Sequence, residues 1–285
     1  MTVAQFYKET AGRLASALGK SEGEAAARII FEDTAGYDRN YIFMNGDREI
    51  LDFMQDKIAD VAGRVIAGEP VQYAVGKARF MGNDFSVSPA VLIPRPETAG
   101  LVDMIVSASN GRPDLRILDI GTGSGCIALS LARALPFARV TGADISADAL
   151  SVARDNARAL KIKAEFEQLD ILKAAVPSSA SFDIVVSNPP YICLSEASGM
   201  ESRVLDYEPH TALFVPDDEP LLFYKAISGY ARQALVPGGT IWFEINSRFP
   251  EEMRRLLDSC GFCDVRILRD YHGLYRYAAA TQPLE

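Results

Sequence analysis

The sequence predicts an α/β protein: a mainly parallel sheet covered by helices on both faces, preceded by a small helical bundle and a β-hairpin connector. Three observations carry this. From Leu115 onward, short apolar runs alternate with amphipathic helical runs, the pattern of strands joined by crossover helices. Before Gly68 the periodicity is helical throughout. Between the two, Lys77 to Val87 alternates at period two around Gly82-Asn83, which reads as a hairpin.

Taken in order, Ala4, Tyr7, Ala11, Leu14 and Leu18 recur at helical spacing. Ser21-Glu22-Gly23-Glu24 reads as a capping box that opens a second helix through Phe31. A third periodic run fills Arg48 to Ile66, and Gly68-Glu69-Pro70 stops it. After the hairpin, Val91 to Thr98 holds Pro94 and Pro96, which favour an extended, stiff backbone able to hold Arg95 and Glu97 in place. Strands are expected at Arg116–Ile120, Val140–Ala143, Phe182–Ser187 and Thr240–Ile245, with a further one ending at Asp170-Ile171. Helices are expected at Ile127–Leu135, Ala147–Leu160, Leu221–Leu235 and Glu251–Cys260. Val265–Leu268 and Tyr275–Ala279 read as two strands pairing antiparallel at the sheet's edge. The division is thus residues 1–75 helical, 76–98 hairpin and linker, and 99–285 the sheet domain.

Composition narrows the function. The 285 residues are 48% apolar and carry a net charge of −9. That acidic balance argues against a general grip on nucleic acid or an anionic membrane, because phosphate binding needs clustered Lys and Arg. No run approaches the length of a membrane span, and the N-terminus lacks the basic start of a signal peptide, so a cytoplasmic location is expected. Cys260-Gly261-Phe262-Cys263 has the spacing of a redox or metal pair. No second pair accompanies it, and Gly261 falls where a helix should end, so it reads as a helix cap and no metal site is expected.

Two motifs carry chemistry. The first, Gly121-Thr122-Gly123-Ser124-Gly125, joins a strand to a helix, where glycines let the backbone approach a ligand closely. Asp144 ends the next strand, placed to accept both hydroxyl hydrogens of a ribose. The spacing is G-x-G-x-G, and Asp119 sits just before it, which is awkward beside a pyrophosphate and favourable beside a cation. S-adenosylmethionine has a ribose, an ammonium, a sulfonium and no phosphate. Asp170 is placed either to reach the adenine amino group or to act as a helix cap, and Ile171 to cover the ring.

The second motif, Asn188-Pro189-Pro190-Tyr191, ends a strand at the same sheet edge. Two prolines cannot continue a central strand, and they stiffen the chain there. The Asn188 side-chain carbonyl and the Pro189 backbone carbonyl are two acceptors that match the two N–H groups of a planar amine, with Tyr191 placed to stack on it. Holding both N–H bonds aims the nitrogen lone pair and stabilises the positive charge it gains on methylation. Direct displacement from the sulfonium needs no strong general base.

These residues resemble the class I S-adenosylmethionine-dependent methyltransferases that act on planar amino groups, which have a Rossmann-like domain with a seven-stranded sheet. Ile93-Pro94-Arg95-Pro96-Glu97-Thr98 and Glu208-Pro209-His210-Thr211-Ala212-Leu213 are similar to segments of the release factor glutamine methyltransferases within that group. The resemblance implies methylation of the side-chain amide nitrogen, N5, of the glutamine in the Gly-Gly-Gln motif of class 1 peptide chain release factors. It implies that Gly121 to Gly125, Asp144, Ile171 and Asn188 contact the cofactor, and that Asn188 to Tyr191, with Arg95 and Glu97, hold the substrate. Asn188, Pro189 and Tyr191 would then be the catalytic residues, and the N-terminal helices would help dock the release factor. The sequence departs from the family pattern at Ala99, Ile171, Asn246 and Phe249. The alternative reading is methylation of another planar amine, a ribosomal-protein glutamine or adenine N6. A nicotinamide dehydrogenase fits poorly with the glycine spacing and Asp119, and a non-catalytic binding module would be expected to have lost these motifs.

Overall fold

The computed structural model describes residues 1–109, 111–175 and 179–285. The chain divides into two units, Met1–Lys77 with Glu201–Tyr207, and Ala78–Met200 with Glu208–Glu285.

The first unit holds α1 (Val3–Leu18), α2 (Lys20–Ala35), α3 (Arg39–Asn45), α4 (Asp52–Ile66) and α5 (Val71–Val75). Its capping box is at the chain start. Thr2 accepts from the Gln5 backbone N–H, and the Gln5 side chain accepts from the Thr2 N–H. The box expected at Ser21 is absent. Gly19, at φ 88°, both ends α1 and begins α2, so the chain reverses on one residue and Ser21 already lies inside the helix. A glycine is also required at Gly23, where a Cβ would stand 2.3 Å from the Ala15 nitrogen, so α1 and α2 touch backbone to backbone there. Phe6, Leu14, Ile30, Phe31, Ile58 and Val65 form the core of this unit. A short later helix, Ser202–Tyr207, belongs to it, with Arg203 paired to Glu22.

The second unit opens on the hairpin, β1 (Lys77–Phe80) and β2 (Asn83–Ser86), whose Phe80 and Phe85 are buried edge to face. Pro96 does not extend the linker. It is the first residue of α6 (Pro96–Ala108), where its fixed φ suits a helix and its missing N–H would have had no partner. Glu97 and Thr98 therefore sit in a helical first turn.

Then come β3 (Arg116–Ile120), α7 (Cys126–Ala134), β4 (Arg139–Asp144), α8 (Ala147–Leu160), β5 (Glu165–Gln168) and β6 (Phe182–Ser187). The short β7 (Ile192–Cys193) precedes α9, the Ser202–Tyr207 helix, and pairs with β8 (Phe214–Val215). The chain ends with α10 (Leu222–Ala234), β9 (Leu235–Glu244), α11 (Pro250–Ser259), β10 (Cys263–Arg269) and β11 (Tyr275–Thr281). β5 stops at Gln168, so Asp170 lies just past it. Gly261, at φ 83°, ends α11 as expected, with its N–H bonded to the Asp258 carbonyl.

The sheet has seven strands in the order β10-β11-β9-β6-β3-β4-β5. β9, β6, β3, β4 and β5 run parallel, and β11 and β10 close one side antiparallel. Alternation sends Ile117, Ile184, Val186 and Trp242 to one face and Leu118, Val185, Ile241 and Phe243 to the other. The chain winds outward from β3 in one direction, then returns to β6 on its other side. Ligand clefts in such sheets open at that reversal, beyond the carboxyl ends of the strands.

Candidate active site

A cavity of about 580 Å³ opens at that point. Gly121, Thr122, Gly123 and Ser124 line it from the end of β3, and Asp144 from the end of β4. Asp170 and Ile171 line it after β5, Asn188, Pro189 and Pro190 after β6, and Arg95 and Thr98 from the start of α6. The two sequence motifs meet, since a Cβ on Gly121 would lie 4.0 Å from the Asn188 carbonyl oxygen.

The glycine loop is pinned on its neighbour strand. Gly121 and Thr122 both donate backbone N–H groups to the Ala143 carbonyl, at 2.8 and 3.0 Å. Gly121 and Gly123 have φ of 75° and 54°, and a Cβ on Gly123 would meet open space. Gly125 does a different job. It is away from the cavity wall, and its Cβ would press on Ala153 and Leu129, so it allows α7 to seat against α8.

Asp144 accepts from the Gly123 N–H and the Ser146 N–H, each at 2.9 Å. Each oxygen keeps a lone pair for a further donor. Burial pushes its carboxyl up, opposed by these backbone bonds. Asp119 is wholly buried and is not on the cavity wall. Its Oδ2 takes the Thr122 hydroxyl at 2.7 Å and the Ala128 N–H at 3.1 Å, so it anchors the loop to α7. Burial raises its carboxyl to about 7. The sequence suggests a carboxylate beside a cation; Asp119 instead turns away from the cavity, and other carboxylates face it.

Those are Asp144, Asp148 and Asp170. Among the described lining residues the one basic side chain is Arg95, and Glu208 holds it at 2.6 Å. Such a wall repels a pyrophosphate and suits a cation. Asp170 also accepts from the Leu172 N–H and pairs with Lys173, which holds its carboxyl below the usual range. Cys126 lines the cavity too, but burial pushes its thiol up to about 12, so it stays protonated and is no nucleophile.

The corner after β6 is held from behind. Asn188 Nδ2 donates to Thr98 Oγ1 at 3.3 Å, and that hydroxyl donates to Glu244 Oε2 at 2.7 Å. Tyr191 does not line the cavity; its hydroxyl donates to Glu244 Oε1 at 3.0 Å. Burial, and after it Glu244, push the Tyr191 phenol far up, so it remains a donor. Glu244 is 1% exposed. Burial raises its carboxyl, opposed by the Thr98 and Tyr191 hydroxyls and by Arg276. Glu97 lies off the cavity wall, its backbone carbonyl accepting from the Tyr277 hydroxyl at 2.7 Å.

Sequence reasoning missed Thr98 and Glu244 as site residues. One signal for Glu244 was present, an acidic residue inside the apolar run Ile241-Trp242-Phe243-Glu244-Ile245 at the sheet edge that carries the other motifs. It missed Glu208 as the buried partner of Arg95. It also missed Asn156, whose side chain bonds the Ser86 backbone N–H and carbonyl and the Ser124 carbonyl, tying the hairpin to the glycine loop.

Residues 112–260 match the model of a methyltransferase domain, and residues 5–76 match that of the PrmC N-terminal domain. The release factor glutamine methyltransferase of Bacteroides thetaiotaomicron is 44% identical over 92% of this chain and 93% of its own. That of Koribacter versatilis is 34% identical over 99% of both. Among solved structures, a Pyrococcus furiosus methyltransferase superposes with a TM-score of 0.52 at 17% identity, covering 78% of this chain and 97% of its own, a likeness of fold. The α/β domain is a Rossmann-like methyltransferase fold, and the chain belongs to the release factor glutamine methyltransferase family.

Proposed function

We propose that this chain transfers the methyl group of S-adenosylmethionine to the side-chain amide nitrogen, N5, of the glutamine in the Gly-Gly-Gln motif of a class 1 release factor. One observation carries the reading: the glycine loop and the Asn188–Pro190 corner line a single acidic cavity. The residues fit the cofactor. Gly123 leaves room where a side chain would intrude, and Asp144 has spare lone pairs for two ribose hydroxyls. Ile171 supplies apolar surface for an adenine ring, and the carboxylates on the wall favour a cation. When bound, S-adenosylmethionine supplies an activated methyl on a sulfonium.

The chain's own residues supply positioning and charge stabilisation. The Asn188 side-chain carbonyl and the Pro189 carbonyl accept the two N–H bonds of the glutamine amide. They gain interaction energy as that nitrogen becomes positive, which is the condition for lowering a barrier rather than merely tightening binding. The excess proton leaves to solvent after the transfer. Pro190 stiffens the corner, and Tyr191 holds it from behind through Glu244.

The first unit supports a docking role for a protein substrate. Phe43, Met44, Leu51 and Phe53 are between 62% and 90% exposed on α3, α4 and the turn joining them, an apolar surface of the kind that binds proteins. No helix among the described residues is long and apolar enough to cross a membrane, and a release-factor substrate would place the enzyme in the cytoplasm. Incubation with methyl-labelled S-adenosylmethionine and a release factor should label one glutamine, mapped by mass spectrometry. Absence of label on a factor with an unmodified glutamine would overturn the reading.

A further inference from the structure

We infer that Thr98, its hydroxyl proton committed by Glu244, is a positioning residue that sets which end of the Asn188 side-chain amide faces the substrate. The inference rests on the methyl-transfer reading and extends it to Thr98, which carries no role there.

The argument is one of donors and acceptors. An ionised carboxylate accepts hydrogen bonds and donates none. Glu244 is buried where β9 ends, with Oε2 2.7 Å from the Thr98 hydroxyl and Oε1 3.0 Å from the Tyr191 hydroxyl. In its ionised form, which Arg276 and the two hydroxyls favour against burial, Glu244 takes the protons of both hydroxyls. Thr98 Oγ1 has one proton, so toward any other neighbour it is an acceptor only. That neighbour is Asn188, 3.3 Å away. Only the NH2 end of the Asn188 amide can satisfy it. The carbonyl end is then turned the other way, into the cavity, as the acceptor a planar NH2 needs. With the amide reversed, two oxygen acceptors would face each other at Thr98, and the cavity would present a donor to a donor.

The fold makes this arrangement rigid. Ser187 stands opposite Phe243 in the β6–β9 ladder, so Asn188 leaves the sheet beside Glu244. Glu244 is opposite Tyr277 on the other side. Thr98 is 2% exposed in the first turn of α6, its N–H bonded to the Arg95 carbonyl. Four separate segments thus converge on one amide orientation.

The test uses the full-length protein with a release factor and labelled S-adenosylmethionine. Thr98→Val keeps shape and removes the hydroxyl. Turnover is expected to fall by about 10–100-fold, the scale of a misaligned reacting group. The KM for release factor and calorimetric affinity for S-adenosylhomocysteine should stay within about 3-fold, since only orientation of the transferring nitrogen is lost. Thr98→Ser retains the relay and should recover most of the lost turnover. In an Asn188→Ala background, Thr98→Val should have little further effect, because Thr98 acts through that amide. If Thr98→Val is too unstable to assay, Thr98→Ala against Thr98→Ser reads the same contrast. Equal losses in the serine variant and its hydroxyl-free counterpart, or full additivity with Asn188→Ala, would overturn the inference. Failure of the wild-type enzyme to label the factor would instead overturn the functional reading.

Discussion

Asn246 donates its side-chain amide to the backbone carbonyl of Tyr191 at 3.0 Å and to Glu196 Oε2 at 3.1 Å. The asparagine clamps the far end of the diproline corner. Glu196 in turn accepts from the Cys193 N–H at 2.9 Å, so the amide links the end of β9 to the loop beyond the corner. Asn246→Ala should cost about 1–3 kcal/mol by leaving these acceptors short of a donor. It should also lower kcat several-fold while leaving S-adenosylhomocysteine affinity intact. Urea unfolding and calorimetry check both; an unchanged midpoint would show that the clamp carries no weight.

Asp144 is the one carboxylate among the described residues that both faces the cavity and holds the glycine loop through the Gly123 N–H. Asp144→Ala should therefore weaken S-adenosylhomocysteine binding by more than the one or two hydrogen bonds made to a ribose, on the order of 3 kcal/mol or more, because the loop loses an anchor as well. Asp144→Asn keeps one acceptor for the loop and should lose less. Equal calorimetric affinities for the two variants would contradict the double role.

Asp119 gives a signed pH dependence. Burial raises its carboxyl from 3.8 to about 7. Below 3.8 both the folded and unfolded states hold the proton, and the stability it confers is fully present. As pH rises toward 7 the unfolded state ionises first, the folded state keeps its proton, and stability falls. The loss is complete above about 7 and amounts to roughly 4 kcal/mol. Asp119→Asn removes that titration. Urea midpoints of wild type should fall relative to the variant as pH rises from about 4.5 to about 7.5, and parallel curves would refute the assignment.

Arg95 and Glu208 come from segments 113 residues apart, and Glu208 also takes the Ile93 N–H at 3.2 Å. The Glu208 side chain is 1% exposed and that of Arg95 33%. Breaking such a pair strands whichever charge remains, at about 3–5 kcal/mol when it is buried. Glu208→Ala leaves a cation that already reaches water, so its cost should lie at the lower end. Arg95→Ala leaves a buried carboxylate and should destabilise more. Guanidinium titration of both variants tests the order.

Much of this is legible in local sequence. The limits of α8 agree residue for residue with the sequence reading, Ala147–Leu160, because its amphipathic run is bounded by the Ser146 cap and by the end of its periodicity. Both ligand motifs are visible because glycine and proline announce backbone geometry by their own chemistry. The Gly19 junction escapes sequence reading because one positive-φ residue ends one helix and begins the next, a reversal that no residue pattern marks. The first turn of α6 reads as extended chain because proline suits either state. Glu244 is hidden as a site residue because its meaning lies in Thr98, 146 positions away, and in Tyr191, 53 away. Such partners become neighbours only through strand order, which periodicity does not give.

Gly100 tests how firmly α6 holds Thr98. A Cβ there would stand 2.3 Å from the Tyr277 hydroxyl oxygen and 3.0 Å from its ring carbon. That hydroxyl donates to the Glu97 carbonyl at 2.7 Å, so it cannot swing aside without losing the bond that seats the first turn. Alanine's helix propensity offers about 1 kcal/mol in favour of Gly100→Ala. Overpacking against a buried, bonded group costs about 1–3 kcal/mol, which should win. The variant should unfold at lower urea and lose turnover, since Glu97 and Thr98 share that first turn. Tyr277→Phe alone should cost about 1 kcal/mol for the lost hydrogen bond. In the Tyr277→Phe background, adding Gly100→Ala should be far less harmful, because the clashing oxygen is gone. A strictly additive double variant would mean that the alanine's cost arises elsewhere than at Tyr277.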